Sequence, residues 1–596
     1  MIINMTNSTY DLYKKAVIEN FKFLKAAENL RDAFLRAIPI GQRGFLLPVC
    51  SAHYSNIELL QKLTDWHNAN VDIYPTQFVA TLDSTRSWLK DRLLAVEDRM
   101  LFLVIDNVGK VLGHIGFNGC LNSAQAFEID NVIRGDATAE KGIFSDAMIT
   151  LMEWARKTIN VNEFFIRVMN NNQHAIDFCK KNEFIQNRSI PLVRIEKGGA
   201  INYVEAGPDQ APERNFIQMK WAPDRSYVGK SLILTAGPSI SAREAVYAFD
   251  AANNGWNSGW SKYLTAFEKK FAEYVGVKYA MATSSCTGAL QIALMALDIG
   301  PGDEVIVPDQ TWVATANAVR YVGAIPVFAD IELDTWNIDV KSVEKLITSN
   351  TKAIMPVHMY GHPARMTALL ELAKKYGLRV VEDAAPAIGA EWEGRRCGSF
   401  GDFAGFSFQG AKLMVTGEGG MLVTNSDELY QKALKIWDQG RNPSRTFWID
   451  ENGVKFKMSN IQAALGLAQL ERVDELIEMK RRLFSWYQEG LAGTPFISLN
   501  EEVKGAHSIY WMSSFRLDES ASIGRDDLIK RLKEVNVDTR PVFPAISQYP
   551  IWPRHQAPQP TAMRVGLQAI NLPSGVCLTK DEVMYAAQQV KRMVSG

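Results

Sequence analysis

The chain has 596 residues, of which 47% are hydrophobic and 22% are charged. This balance is that of a globular protein, and at roughly 100–200 residues per domain the length predicts more than one hydrophobic core. Lys and Arg number 65 and Asp and Glu number 66, which leaves a formal charge of −1. Because so small a charge creates no overall attraction for phosphate backbones, we expect no nucleic-acid partner.

The cysteines are too widely spaced to predict a disulfide framework or a zinc site, since no CxxC pair occurs. They are Cys50, Cys120, Cys179, Cys286, Cys397 and Cys577. The N-terminal sequence lacks the apolar segment of a secretion signal, and no run of about 18 apolar residues is present. We therefore expect a soluble cytoplasmic protein with no metal site and no membrane insertion.

The first elements in chain order are helical. Residues 9–37 carry apolar side chains at helical spacing until Pro39 and Gly41 interrupt the pattern, so we predict a helical extension over residues 1–44. Strand and helix patterns then alternate, which predicts one α+β domain over residues 45–222. Its predicted elements are a helix near 55–67, strands at 100–105 and 111–117, a helix near 142–157, a strand at 163–169, a helix at 172–181 and a strand at 215–221.

A second domain follows a predicted linker at residues 223–231. From residue 232 onward, short β-rich runs such as DEVIVPD, IPVFAD and LRVVEDA alternate with helical patterns. This alternation predicts an α/β domain of βαβ units around a mostly parallel sheet, in which ligands gather at the carboxyl ends of the strands. We expect long helices over 460–490 and a smaller α+β lobe over about 490–596.

Four features lie at predicted strand ends of the second domain. Lys412 follows the run FSFQ, Asp383 ends the run LRVVED, residues 283–290 (TSSCTGAL) join a strand to a helix, and Trp312 follows another strand. Each has an ordinary explanation when taken alone: a solvated loop charge, a buried acid with a cationic partner, a packed turn and a core tryptophan. Together they are the lysine, acid, phosphate cradle and flat aromatic that a pyridoxal phosphate site requires.

The sequence around these features resembles the fold-type I sugar aminotransferases of the DegT family over about residues 232–596. The resemblance is carried by phrases such as SSCTGALQIALMALDIGPGDEVIVP, VVEDAAPAIGAEWEGRRCGSFGD and FSFQGAKLMVTGEGGMLVTN. It implies that Lys412 binds pyridoxal 5'-phosphate covalently. It also implies that Asp383 pairs with the pyridinium nitrogen and that Trp312 stacks on the ring.

The resemblance further implies a phosphate site and a shared active site. Ser407, Cys286 and Thr287 match the phosphate ligands, with a cysteine amide as the middle contact. Lys455 matches a phosphate contact from the partner subunit, so a homodimer is expected. Pro386 stands where the family often has Gln or His, which leaves the contact to the phenolic oxygen of the cofactor unassigned.

The activity that the DegT resemblance implies is transamination of a nucleotide-linked keto sugar, with an amino acid such as glutamate as the donor. One branch of the family has histidine in place of the lysine and dehydrates sugars, so Lys412 favours transamination. The alternative from another class is a regulatory protein that binds pyridoxal phosphate without turnover. An intact set of lysine, acid and aromatic is more than that role requires.

The first domain resembles GNAT acyltransferases over about residues 45–222. The resemblance rests on FEIDNVIRGDATAEKGIFSDAMITLMEWA at 127–155 and FFIRVMNNNQHAIDFCKKNEF at 164–184. In that family, loop amides and a helix N-terminus bind the pyrophosphate of coenzyme A. Gly142 matches the last glycine of the loop and Asn172 fits the second motif, which implies acetyl-CoA as cosubstrate.

Two carboxylates are candidate bases for this acyl transfer. Glu128 and Asp130 are two apart on a predicted strand and share a face, and an amine nucleophile must lose a proton to such a group. The alternative is an ordinary polar face of the strand. Cys179 stands where the family often has the tyrosine that protonates the leaving thiolate, so the sequence does not identify the general acid.

The two resemblances predict a bifunctional enzyme of amino-sugar biosynthesis. The second domain aminates a keto sugar, and the first uses acetyl-CoA to N-acetylate an amino sugar. The chemistry favours this pairing, because a transaminase produces the primary amine that an acyltransferase consumes. The alternative for the first domain is a non-catalytic docking or effector-binding module.

Overall fold

The computed structural model describes residues 7–159, 161, 163–223, 228, 229, 231–552 and 556–595. The first six residues of the predicted extension and most of the predicted linker lie outside the described residues.

The chain divides into two compact units. One comprises Met1–Arg225 and Ile240–Val246, and the other comprises Ser226–Ser239 and Tyr247–Gly596. Among the described residues, no helix is both long enough and apolar enough to span a lipid bilayer.

The first unit is built on a ten-stranded sheet in the order β1-β2-β4-β5-β6-β7-β10-β8-β9-β3. Its elements along the chain are α1 (Asn7–Lys25), α2 (Leu30–Leu35), β1 (Ile38–Pro39), β2 (Gly44–Pro48), α3 (Ile57–Ala69), β3 (Thr76–Gln77), α4 (Leu82–Trp88), β4 (Met100–Asp106), β5 (Val111–Asn118), β6 (Ala126–Arg134), α5 (Ile143–Thr158), β7 (Glu163–Met169), α6 (Gln173–Lys181), β8 (Phe184–Lys197), β9 (Ala200–Glu205) and β10 (Arg214–Trp221). The predicted helices and strands of this unit are present at the expected positions.

The parallel pair β6 and β7 separates part-way along its length. Pairing runs from Ala126 opposite Glu163 to Ile129 opposite Ile166. Beyond that point β6 stays paired with β5 and β7 with β10. The residues of β6 that follow Ile129 therefore border a gap in the sheet, at which a substrate can reach the strand.

The N-terminal helices belong to the core of the first unit. They form two helices where the sequence predicted one, because the Asn29 side chain caps α2 by accepting a hydrogen bond from the Asp32 amide (2.9 Å). Phe21 of α1 is fully buried in the same cluster as Phe127 of β6, and their ring centroids lie 6.0 Å apart. Strand β1 also joins the sheet through β2. The core of this unit thus begins well before residue 45.

The hairpin of β8 and β9 was not among the predicted elements. Most residues of β8 are exposed, so this strand lacks the alternating apolar pattern by which strands are recognised. Its turn contains Gly198 and Gly199, both at positive φ, a conformation that glycine adopts at little cost.

The remaining helices and strands belong to the second unit and its lobe, except that the first residues of α7 fall within the Ile240–Val246 stretch of the first unit. They are α7 (Ala242–Asn254), α8 (Lys262–Val275), β11 (Tyr279–Thr283), α9 (Cys286–Ala296), β12 (Glu304–Pro308), α10 (Ala314–Tyr321), β13 (Ile325–Ala329), α11 (Val340–Leu346), β14 (Thr351–Ile354), α12 (Met366–Tyr376), β15 (Arg379–Asp383), β16 (Glu391–Trp392), β17 (Arg395–Arg396), β18 (Phe403–Ser407), β19 (Gly420–Thr424), α13 (Asp427–Trp437), α14 (Asn460–Leu470), α15 (Val473–Leu491), β20 (Ile497–Leu499), β21 (Ala506–His507), β22 (Ser514–Leu517), α16 (Arg525–Glu534), β23 (Arg540–Pro541), α17 (Pro560–Gln568), β24 (Ala569–Asn571) and α18 (Lys580–Ser595).

A seven-stranded sheet in the order β11-β19-β18-β15-β14-β12-β13 forms the centre of the second unit. Strands β12, β13, β14, β15 and β18 are parallel, and β19 is antiparallel to both of its neighbours. The prediction of a mostly parallel sheet is therefore confirmed. The strands of the smaller lobe form a separate antiparallel sheet in the order β20-β22-β24-β23.

Candidate functional site

The carboxyl ends of the parallel strands border a cavity of about 400 Å³ in the second unit. Asp383 ends β15, Ser407 ends β18, and Lys412 lies in the loop that follows. The cavity brings together six of the residues predicted for the cofactor, and its lining also includes Pro386, Trp511 and Phe543. The six are Lys412, Asp383, Trp312, Ser407, Cys286 and Thr287.

Asp383 is a buried carboxylate held in place by two hydrogen bonds. Its Oδ2 accepts from the Thr315 hydroxyl at 2.7 Å, and its Oδ1 accepts from the Ala385 amide at 3.1 Å. Burial raises the pKa of the Asp383 carboxyl, and the bond from Thr315 opposes that rise. A cationic partner inside the cavity would favour the ionised form.

Lys412 lies with its amine over the indole of Trp511, and the distance from Nζ to the ring centroid is 3.7 Å. Two hydrogen bonds fix Trp511 in place. Its indole Nε1 donates to the Ala411 carbonyl at 2.8 Å, and its backbone carbonyl accepts from Lys480 Nζ at 2.7 Å. Burial lowers the pKa of Lys412 to about 8, and the nearby Asp383 carboxylate raises it in part. Near neutral pH the amine is therefore mostly protonated, with a minor neutral fraction.

The N-terminus of helix α9 forms an anion cradle at the cavity wall. Ser285 is the N-cap, and its hydroxyl accepts from the Gly288 amide at 3.1 Å, which leaves the amides of Cys286 and Thr287 without partners inside the helix. A Cβ at Gly420 would lie 2.5 Å from the Cys286 nitrogen, so only glycine fits there. Such unpaired amides favour a phosphate dianion.

The Cys286 thiol faces away from this cradle, towards β18. Its sulfur would lie 3.2 Å from a Cβ at Gly405, and burial raises the pKa of the thiol well above its usual range. A buried neutral thiol does not attract an anion, so the cysteine can offer only its amide. A contact from Cys286 to a phosphate would therefore come from its amide, and this contact stays a prediction.

Trp312 and Lys455 differ in how far they enter this site. The Trp312 side chain is 59% exposed beside the cavity, with its ring centroid 5.5 Å from that of Phe543. The alternative of a core tryptophan is therefore wrong. Lys455 is exposed and does not line the cavity of its own chain, so its contact with a phosphate stays a prediction.

The first unit contains a second cavity, of about 660 Å³, whose wall includes two residues of β6 that follow Ile129. Asp130 lines it, together with Arg99, His114 and Asn131. The Asp130 carboxylate accepts from Arg99 Nη2 at 2.8 Å and from the Asn131 side chain at 2.7 Å. The sequence analysis did not find Arg99 or His114, because neither belongs to a recognisable motif.

Glu128 has a different environment from Asp130. It does not line this cavity, and it forms a two-pronged ion pair with Arg167 of β7, at 2.6 Å to Nε and 2.7 Å to Nη2. The Glu128 side chain is only 9% exposed, and burial raises the pKa of its carboxyl although Arg167 lowers it in part. Both acceptor oxygens are engaged, so this carboxylate positions β7 against β6.

An arginine from outside the motif, Arg43, binds to residues of the predicted coenzyme A loop. Gly142 is the N-cap residue of α5, with φ +94°. Arg43 lies against it, pairs with Glu140 at 2.8 Å and with Asp146, and donates to the Lys141 carbonyl at 2.7 Å. The helix N-terminus thus faces a guanidinium that two carboxylates already neutralise.

The two remaining predicted residues of the GNAT motifs have structural partners. Asn172 caps α6, since its side chain accepts from the Ala175 amide at 3.1 Å. Cys179 is fully buried, and burial raises the pKa of its thiol to about 12. A thiol so enclosed has no access to either cavity, so the structure offers no role for Cys179 beyond packing.

The second unit therefore has the fold and the site of a pyridoxal phosphate-dependent sugar aminotransferase. Residues 238–591 match the family model described as the DegT/DnrJ/EryC1/StrS aminotransferase family, and the chain belongs to that family. Residues 45–185 match the model of an acetyltransferase (GNAT) domain. Both resemblances found in the sequence are thereby confirmed.

The chain is similar to several characterised proteins. GDP-perosamine synthase of Caulobacter vibrioides is 43% identical over 365 residues, which cover 60% of this chain and 98% of the relative. The spore coat polysaccharide biosynthesis protein SpsC of Bacillus subtilis is 36% identical over 380 residues, 60% of this chain and 96% of the relative. The structure of Helicobacter pylori PseC, an aminotransferase of pseudoaminic acid biosynthesis, matches with a TM-score of 0.59 and 26% identity over 61% of this chain and 100% of that one.

Proposed function

We propose that this chain aminates a nucleotide-linked keto sugar and then N-acetylates the resulting amino sugar. The observation that carries the proposal is the meeting of Lys412, Asp383 and the N-terminus of α9 in one cavity. The similarity to a GDP-perosamine synthase at 43% identity supports a GDP-linked keto sugar as the substrate. An amino acid such as glutamate is the amino donor.

The residues of the first cavity fit pyridoxal 5'-phosphate. When bound, this cofactor supplies an electron sink for the substrate carbon that loses a proton. The cradle formed by Cys286, Thr287 and Ser407 binds the phosphate, and Asp383 holds a proton on the ring nitrogen by offering a buried carboxylate. Lys412 accepts and returns a proton at Nζ, which its pKa of about 8 permits near neutral pH.

We also propose that the active form is a homodimer in which Lys455 reaches the cavity of the partner subunit. The segment before Lys455 exposes three large apolar side chains. Phe447 is 98% exposed, Trp448 47% and Ile449 52%. A partner subunit that covers this segment removes apolar surface from water. The same contact brings the Lys455 ammonium towards a phosphate.

In the N-terminal domain, Asp130 is the base and Glu128 is a positioning residue. Asp130 lines the cavity, whereas Glu128 does not line it and is held by Arg167 at both oxygens. The amine nitrogen attacks the thioester carbonyl of acetyl-CoA, and the bond from carbon to sulfur breaks. Of the two protons that the ammonium loses, one passes through Asp130 to solvent and the other ends on the departing thiolate.

We assign the protein to a reducing compartment, the cytoplasm, because all six cysteines are unpaired and five of them are buried. Nucleotide-linked sugars and acetyl-CoA are both charged metabolites that such a compartment supplies to one chain. Sequential use of the two sites makes the amination effectively irreversible, because acylation removes the amine.

A second candidate function for the N-terminal domain is a non-catalytic docking or effector-binding module. The specific observation in its favour is that Arg43, Glu140 and Asp146 form a closed ion-pair set at the loop where coenzyme A would place its pyrophosphate. Binding of a pyrophosphate there must displace two carboxylates from Arg43, which costs binding energy.

The test is product analysis by mass spectrometry with the full chain, a panel of nucleotide-linked keto sugars, glutamate and acetyl-CoA. We expect an N-acetylated amino sugar from the wild type and the free amino sugar from Asp130→Asn. Lys412→Ala should give neither product, but should still acetylate an amino sugar that is supplied directly. If the wild type never acetylates and does not bind acetyl-CoA in calorimetry, the docking module is the correct function of this domain.

A further inference from the structure

The cavity of the N-terminal domain carries two arginines that the acetyl-transfer chemistry does not use. Arg92 follows helix α4, and Arg99 precedes β4. Both line the cavity of about 660 Å³ together with Asp130. Arg99 also donates to the backbone carbonyl of Arg92 at 3.4 Å, so the two residues are neighbours at the cavity wall.

The charges in this cavity do not balance. Burial lowers the pKa of His114 to about 4 and also lowers the pKa of His67, so both histidines are neutral at pH 7. Arg99 pairs with Asp130 at 2.8 Å. Arg92 forms no ion pair with any residue in the part of the chain that the structure describes. The cavity thus keeps a formal charge of +1, which favours an anionic occupant.

The rest of the wall suits a flat ring. His67 stacks on Tyr74 with centroids 4.7 Å apart and an angle of 17°, and Phe78 lies 4.8 Å from His67. Trp88 also lines the cavity. A free amino sugar would leave much of this space filled with water, whereas a nucleotide-linked one brings both a planar base and two phosphates.

We infer that this cavity binds the amine as its nucleoside-diphosphate derivative, with Arg92 and Arg99 as the diphosphate-binding residues. The inference rests on the proposed acetylation and names the form of its acceptor. A phosphate that binds Arg99 competes with Asp130 for the same guanidinium. Binding of the acceptor therefore loosens the Arg99 contact, and the Asp130 carboxylate becomes free to accept a proton from the ammonium group.

The test compares two acceptors with the full chain. One is a nucleoside-diphosphate amino sugar and the other is the same amino sugar without the nucleotide. Release of the coenzyme A thiol reports on this domain alone, because the aminotransferase produces no thiol. We expect Arg92→Gln to raise the KM for the nucleotide-linked acceptor about tenfold or more, with kcat nearly unchanged, since a charged hydrogen bond to phosphate is lost. The KM for the free amino sugar should not change.

Arg99→Gln should raise the same KM, because the variant lacks a guanidinium that binds the diphosphate. The matched control is Arg86→Gln. Arg86 lies on α4, pairs with Asp83 and does not line the cavity, so both kinetic constants should stay at the wild-type value. Equal effects of Arg92→Gln on the two acceptors would overturn the inference.

A binding measurement separates this inference from the proposed activity. If no amine yields thiol, the proposed acetylation fails, and GDP is then titrated calorimetrically into the full chain. The wild type should bind one equivalent of GDP more than Arg92→Gln/Arg99→Gln. Equal stoichiometry in the two proteins would show that the arginines do not bind a diphosphate.

Discussion

The amine of Lys412 lies 3.7 Å from the ring centroid of Trp511. An aromatic face attracts a cation, so this contact favours the charged form of the lysine. Burial acts in the opposite direction and lowers the pKa of Lys412 to about 8. The Asp383 carboxylate also raises this pKa in part, so burial, Asp383 and the indole together set how much neutral amine is available near pH 7.

Replacement of Trp511 should therefore lower the pKa of Lys412. In the wild-type apoenzyme, the rate of covalent attachment of pyridoxal phosphate should rise with pH up to about 8 and level off above it, because only the neutral amine attacks an aldehyde. In Trp511→Leu the midpoint should move to lower pH, whereas Trp511→Phe, which keeps an aromatic face, should move it less. Stopped-flow absorbance measures these rates, and identical midpoints in the three proteins would contradict the prediction.

Lys412→Ala should abolish both the covalent attachment of the cofactor and the proton transfer at Nζ. The expected loss of transaminase rate is at least about 10²–10⁴-fold, the usual contribution of a general acid or base. Borohydride treatment followed by peptide mass spectrometry should find the cofactor on Lys412 in the wild type and on no residue in the variant. A normal rate of amination in Lys412→Ala would refute its assignment.

Asp383→Asn should retain the cofactor and lose most of the rate. The amide has the shape of the carboxylate but cannot hold a proton on the ring nitrogen, and a loss of about a hundredfold is the scale expected for one electrostatic contact. Thr315→Val, which removes the 2.7 Å bond to Oδ2 together with the contacts of the same hydroxyl to Thr311 and to the Trp312 carbonyl, should cost less than about tenfold. Absorbance of the bound cofactor and steady-state rates separate binding from turnover.

Mixed dimers should reveal whether Lys455 serves the neighbouring cavity. Neither Lys412→Ala nor Lys455→Ala chains should be fully active alone. Random exchange of the two chains should restore about a quarter of the wild-type sites, because half of the dimers are hybrids and each hybrid has one site with both lysines. No recovery after mixing, or an active monomer in sedimentation experiments, would count against the shared site.

The two carboxylates of β6 should respond differently to neutralisation. Asp130→Asn should lower kcat for acetylation at normal stability. Glu128→Gln should destabilise the first unit by about 1–3 kcal/mol, since Arg167 then lacks a counter-charge in a partly buried position. The double variant Glu128→Gln/Arg167→Gln should recover part of that stability in thermal unfolding. If Glu128→Gln stops acetylation without loss of stability, Glu128 rather than Asp130 is the base.

The sequence predicted the cofactor residues because they follow from local rules. Parallel strands end at one edge of a sheet, so Asp383, Ser407 and Lys412 had to meet there. Trp511 could not be found in this way. It comes from a loop between β21 and β22, and only the packing of that loop against the end of β18 brings its ring to the lysine.

Sequence patterns also failed to predict the charged pairs of the first unit. Glu128 and Asp130 are equivalent in sequence, being two residues apart on one strand. The structure separates them because Arg167 arrives from β7 and Arg99 from the start of β4. Such partners depend on the register of neighbouring strands, which single-sequence patterns do not specify.

Helix α1 limits how the protein can be truncated. The GNAT match covers only residues 45–185, yet Phe21 of this helix packs on Phe127, and one edge of β7 pairs with β10, which lies beyond the match. A fragment confined to the matched residues would expose the apolar surface of Phe127 and an unpaired strand edge, both of which promote aggregation. The shortest piece of the first unit able to fold is therefore considerably longer than the segment that matches the GNAT family model.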